Sequence, residues 1–168
     1  MRFFALTTLL AALAPVVALS QGQGSLSSRD EISLRVLRAV DYAEIQRVVL
    51  TNDCQRKPGL AASLPACSKI GVVPPTTIEL TVLPHFNRYV SNADAMAALA
   101  FWTSPDGARI SKKLVREITE NNPTILTRDE LQLLDRFNKS EAGIAMSRLA
   151  QDRSVSVAVI RAIGAYVP

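Results

Sequence analysis

An all-α fold, a compact helical bundle, is what this sequence predicts, and three observations predict it. Apolar residues recur at helical spacing through most of the chain from Ser28 onward. Ser, Thr and Asp stand repeatedly where the free amides at a helix start need a side-chain acceptor. The one short run that alternates like a strand, Ser154–Val157, has no partner strand elsewhere. Val155, Val159, Ala162, Ile163 and Tyr166 also fit one helical face, so the tail is expected to be helical.

The chain opens with a segment that reads as an export signal. Arg2 is the only charge in the first 28 residues, and Phe3–Leu13 is apolar. Pro15 then stops a helix, and the small residues Ala18 and Ser20 fit the shallow pockets of a signal peptidase. Residues 1–20 are expected to be a cleaved signal peptide, with Gln21 the first residue of the mature chain. The apolar run is too short to span a bilayer, which takes roughly 20 residues. The remaining 148 residues suffice for a single helical domain with a core of its own.

Ser28 and Glu31 read as a capping box, opening a helix to about Leu50 with Ile32, Val36, Ala39, Val40 and Ala43 on one face. The stretch 52–75 is irregular, with a short turn near Leu60–Leu64, and holds both cysteines, Cys54 and Cys67. An even cysteine count in an exported chain favours a disulfide, and no further ligands stand nearby for a metal. Thr76 and Glu79 offer a second capping box, and Pro84 is expected to kink or split the helix that follows. Ser91 and Asp94 cap an alanine-rich helix to Trp102, apolar on all sides and therefore expected to be central and buried. Ser104 as N-cap and Pro105 as first helical residue restart a helix toward Asn121, and Pro123 closes that region.

The plan then repeats 36 residues on. Ser91 maps to Thr127, Asp94 to Glu130, Phe101 to Phe137, Ser104 to Ser140 and Gly107 to Gly143. Each copy reads as a cap, an apolar helix, Phe-x-x-Ser-x-x-Gly and a second helix, so residues 91–114 and 127–150 are expected to form two related helical hairpins.

Residues Ala98–Leu114, ALAFWTSPDGARISKKL, resemble the bacterial exported domain-of-unknown-function family 2059. The resemblance rests on Phe101, Trp102, Ser104, Pro105 and Gly107 after an apolar helix, with Trp102 where the family has tyrosine, and extends over roughly residues 75–150. It implies a helical protein of the bacterial envelope, and no reaction.

The chain has 19 Lys and Arg against 15 Asp and Glu; loss of Arg2 with the signal leaves +3. That mild excess suits an anionic neighbourhood but does not imply nucleic acid, which needs clustered charge. The single histidine, His85, has few of the partners that catalysis or metal binding requires, and no G-x-S-x-G turn accompanies it. Glu117 and Glu120 share a helix face, a spacing common on solvated surfaces. Ser104–Gly107 lacks the glycines of a phosphate loop. Asn138-Lys139-Ser140 is a glycosylation sequon, with meaning only in a eukaryotic secretory pathway. No metal and no cofactor is expected. Arg109, Lys112, Lys113 and Arg116 fall on one side of their helix, with Ile110, Leu114, Val115 and Ile118 on the other. This basic face is the candidate binding surface. The expected function is a non-enzymatic helical binding or interaction module, periplasmic or secreted, with an envelope protein or an anionic envelope component as partner. It is not expected to be an integral membrane protein. The alternative is a small exported hydrolase acting on cell-wall material.

Overall fold

A computed structural model describes residues 26–56, 64–120, 123 and 125–167. The proposed signal segment and nearly all of the Leu60–Leu64 turn lie outside the described residues. Within them the protein is all-helical: α1 Ser28–Ala39, α2 Tyr42–Arg56, α3 Pro65–Lys69, α4 Pro75–Tyr89, α5 Asn92–Thr103, α6 Pro105–Glu120, α7 Arg128–Asn138, α8 Glu141–Gln151 and α9 Arg153–Ala165.

Helix α4 is the axis of the bundle, packing against α1, α2, α8 and α9. Its residues Ile78, Val82 and Phe86 are fully buried, as the i, i+4, i+8 spacing requires. The helix runs unbroken through Pro84, against the expectation of a kink or split as far as a split is concerned. Pro84 is exposed, and Leu80, whose carbonyl loses its amide partner there, is half-exposed, so water can satisfy that oxygen. The expected Thr76–Glu79 capping box is also corrected. Pro74 is the N-cap, Pro75 occupies the first turn, and Glu79 is buried and bonded instead by Arg38 Nε at 2.9 Å.

The first expected helix is two helices. Its capping box sits one residue earlier than expected, with Ser27 accepting from the Asp30 amide and the Asp30 carboxylate accepting from the Ser27 amide. The helix stops at Ala39, and Asp41 adopts φ 53°, the left-handed conformation that ends a helix. Asp tolerates that region better than most side chains, so no glycine was needed. The break lets α1 pack on α4 and α5 while α2 lies across α4 and α6. Asn87 knits α1 to α4: its side chain accepts from Ser33 and donates to Asp30, both at 2.7 Å, and its carbonyl accepts from Arg29 at 2.6 Å.

Cys54 at the end of α2 and Cys67 in α3 form a disulfide, with Cα atoms 5.9 Å apart. Closing a loop of this length contributes about 3 kcal/mol in the chain-entropy account. Lys69 fastens the same corner to the tail by donating to the carbonyls of Gly164 and Tyr166, at 2.8 and 2.9 Å, so it caps α9. The tail is helical, as expected.

Both hairpins form. Ser91 and Thr127 are N-caps, accepting from the amides of Asp94 and Glu130. At each turn the serine hydroxyl donates to the preceding phenylalanine carbonyl and accepts the following glycine amide. The distances are 2.7 and 3.0 Å for Phe101-Ser104-Gly107, and 2.6 and 3.2 Å for Phe137-Ser140-Gly143. The two phenylalanine rings stack on each other with centroids 4.2 Å apart, and Trp102 meets Phe137 edge-on. Helix α5 departs from expectation in one respect. Ala95, Ala98 and Trp102 are buried, but Met96, Ala97 and Ala100 face solvent. Alanine is the strongest helix former and exposes little apolar surface, so an alanine-rich helix need not be enclosed.

Candidate functional site

The basic face lies on α6, opposite its buried residues Gly107, Ile110 and Ser111. The apolar side expected of this helix is graded along its length. Ile110 is fully buried, Leu114 and Val115 are half-buried, and Ile118 is exposed.

The four cations divide into two pairs. Arg109 and Lys113 turn toward α7 and meet at Glu130. Arg109 Nε donates to one carboxylate oxygen at 2.9 Å, and Lys113 Nζ donates to the other at 2.7 Å. The Thr127 amide adds a third donor at 2.8 Å, closing the capping box of α7. Glu130 is thus both helix cap and ionic link, and its side chain is buried. The Lys113 ammonium, the Thr127 amide and the Arg109 guanidinium, in that order, hold its carboxyl down at about 2. Arg109 also pairs with Asp106 at 2.6 Å.

Lys112 and Arg116 point outward, one turn apart. They line two adjoining open clefts, of about 390 and 560 Å³, and Arg109 and Lys113 also line the first. Pro105 and Ala108 floor the first, and Ala39, Val115 and Arg38 contribute to the second. Arg116 makes an exposed pair with Glu120 at 3.4 Å, and Lys112 makes no ion pair among the described residues. Sequence spacing showed the basic stripe but not this partition, since the Glu130 link needs α7 folded back on α6.

His85 has neighbours that the sequence did not reveal. Its Nδ1 lies 3.5 Å from Ser154 Oγ and 3.9 Å from Asp152 Oδ2. The order of contacts is not that of a hydrolytic relay, in which the imidazole stands between carboxylate and hydroxyl. Here Ser154 donates directly to Asp152 at 2.8 Å, and Tyr89 donates to the same oxygen at 3.0 Å. Asp152 caps α9 through the Ser154 amide, and the hydrogen bonds from Ser154 lower its carboxyl below the usual range. Glu117 and Glu120 are exposed, and Glu120 is taken up by Arg116. Among the described residues, no three His, Cys, Asp or Glu side chains converge on a position that could hold a metal ion. No helix among them is long and apolar enough to cross a membrane.

Comparison with known proteins gives no match to a family model, a curated protein or a solved structure.

The Glu130 link carries a pH dependence. Its carboxyl is lowered on folding, so the stability it contributes is complete above about pH 4.5 and is lost as the pH falls toward about 2. Thermal melts of wild type and Glu130→Gln should differ most near neutral pH and converge in that acidic window. A constant gap would show that the carboxylate charge is not what holds α6 to α7.

Proposed function

We propose that this protein is an exported helical binding module of the bacterial envelope, and that the outer face of α6 engages an anionic envelope component. The observation that carries the reading is Lys112 and Arg116, exposed one turn apart between two open clefts. Arg38 adds to the positive side of the larger cleft. The Cys54–Cys67 disulfide supports an oxidising compartment, and the apolar leader with its small-residue cleavage site supports export. The likeness of Ala98–Leu114 to family 2059 supports an envelope location. Against a hydrolase stands the hydrogen-bond order around His85, which leaves Ser154 bonded to a carboxylate rather than activated by the ring.

Cosedimentation with phosphatidylglycerol vesicles tests the binding. Each exposed cation near an anionic surface is worth about 1 kcal/mol, so Lys112→Ala with Arg116→Ala should weaken association roughly thirtyfold. Salt at about 1 M, where charges are screened beyond roughly 3 Å, should abolish it. Equal binding to neutral phosphatidylcholine vesicles would refute the electrostatic reading. Intact mass of the exported form checks the other half and should correspond to a chain beginning at Gln21.

A further inference from the structure

The linker from α6 to α7 carries Ile125, which is 86% exposed, the barest large apolar side chain among the described residues. Leu126, the next residue, packs on the core, and Thr127 caps α7. The linker is thus held from beneath while Ile125 stays in water. Lys113 Nζ donates to the Ile125 carbonyl at 3.5 Å. Lys113 directly follows Lys112 and stands three residues before Arg116, so Ile125 lies at the margin of the basic face. Arg128, at the start of α7, is exposed three residues further on. Ile118 in the last turn of α6 and Leu131 near the start of α7 are exposed as well. This end of the α6–α7 pair therefore gathers apolar side chains beside cations. Glu117, Glu120 and Asp129 are exposed there too and offset part of the positive charge.

We infer that the anionic component met by α6 is a lipid bilayer, with Ile125 entering the boundary between head groups and acyl chains while Lys112 and Arg116 meet the phosphates. The inference rests on the reading of α6 as an anion-binding face and adds an apolar foothold to it. Two features favour a bilayer over a soluble anion. A polymer or a free phosphate offers nothing apolar to an isoleucine, whereas a bilayer offers anionic head groups and hydrocarbon side by side. Charge by itself is also too weak here. Arg116 is shared with Glu120, and a few surface cations give only loose, salt-sensitive attachment. Stable but reversible docking at a membrane surface takes two signals, one apolar and one basic, and this corner carries both. No spanning helix is needed for it, and none occurs among the described residues.

The test uses the purified oxidised protein and vesicles of phosphatidylglycerol at low salt. Ile125→Ser should weaken association about tenfold, because moving an isoleucine side chain out of water is worth at least that factor. Its melting temperature should not move, since the side chain is exposed. Combined with Lys112→Ala and Arg116→Ala, the losses should multiply. Depth is read with Ile125→Trp on the same vesicles carrying bromine on their acyl chains. The emission of Ile125→Trp should be quenched on binding. Wild type, whose single tryptophan, Trp102, is buried, should not be quenched. Association that depends on Lys112 and Arg116 but is unchanged in Ile125→Ser would overturn the insertion and leave the basic face standing. So would an Ile125→Trp emission that bromine does not quench. A wild-type protein that ignores anionic vesicles altogether would remove both.

Discussion

Phe137→Ala is expected to cost about 3–5 kcal/mol, the range for emptying a buried phenylalanine site. Phe137 is 8% exposed and lies face to face with Phe101, ring planes 10° apart, with Trp102 across its edge at 5.1 Å. The indole nitrogen of Trp102 is buried without a hydrogen-bond partner among the described residues, so the indole is held by packing and not by a hydrogen bond of its own. Removing Phe137 therefore takes away the main aromatic contact between the hairpins and leaves the Glu130 link of α6 to α7 in place. Phe101 is its counterpart in the repeat but is only half-buried, so Phe101→Ala should cost less, about 2–3 kcal/mol. Stacked rings couple by about 0.5–1.5 kcal/mol, and the double variant should fall short of the sum of the two single losses by that amount. Chemical denaturation of the four proteins measures all of this. Strict additivity would show that the rings stack without holding each other.

What could be read in advance was local chemistry. A hydroxyl before an amide run, a serine followed by proline, and two cysteines in one segment each act over a few residues; the caps at Ser91, Ser104, Thr127 and Ser140 and the disulfide stand where the spacing implied, whereas the first cap falls one residue early and the Thr76 cap does not form. The repeat was legible for the same reason, because Phe-x-x-Ser-x-x-Gly is a turn built from its own side chains. What escaped depended on the whole bundle. The break at Asp41 carries no proline or glycine and interrupts a face that reads as continuous; it exists because α1 and α2 must meet different neighbours. Pro84 continues a helix because its exposed side leaves the unpaired carbonyl to water. The alanine-rich helix reads as buried because composition does not say on which sides its neighbours stand. The basic face shows this most clearly. Four cations at helical spacing look alike in the sequence, yet α7 brings Glu130 beneath two of them and pairs both to one buried carboxylate. That pairing leaves Lys112 and Arg116 as the two cations of the face not bonded to Glu130, and the His85–Asp152–Ser154 group arises only from the docking of α9 on α4.

Gly107→Ala and Gly143→Ala bring two large effects into opposition, and the structure says which prevails. Both glycines lie in the first turn of a helix, where alanine is intrinsically better by about 1 kcal/mol, so propensity alone predicts a gain in stability. Space predicts the reverse. A Cβ on Gly107 would fall inside the van der Waals surface of the Phe101 carbonyl oxygen and 2.8 Å from its carbonyl carbon. On Gly143 it would meet the Phe137 carbonyl in the same way, with Asn138 Cα also at 2.8 Å. These are backbone atoms at a helix end, so no side-chain rotation relieves the clash. The carbonyl is fixed further because it accepts the hydroxyl of the very serine that caps the glycine amide. Relief requires the two helices of the hairpin to separate, which breaks that pair of hydrogen bonds and pulls on the Phe101–Phe137 stack. The overpacking cost should lie at the upper end of its usual range, about 3 kcal/mol, and exceed the propensity gain at both positions. Thermal denaturation should show a lower midpoint for each variant, and the two losses should be similar because the turns share one geometry. Stabilisation at either glycine would mean that its helices can part freely, and that the shared motif does not set the angle of the hairpin.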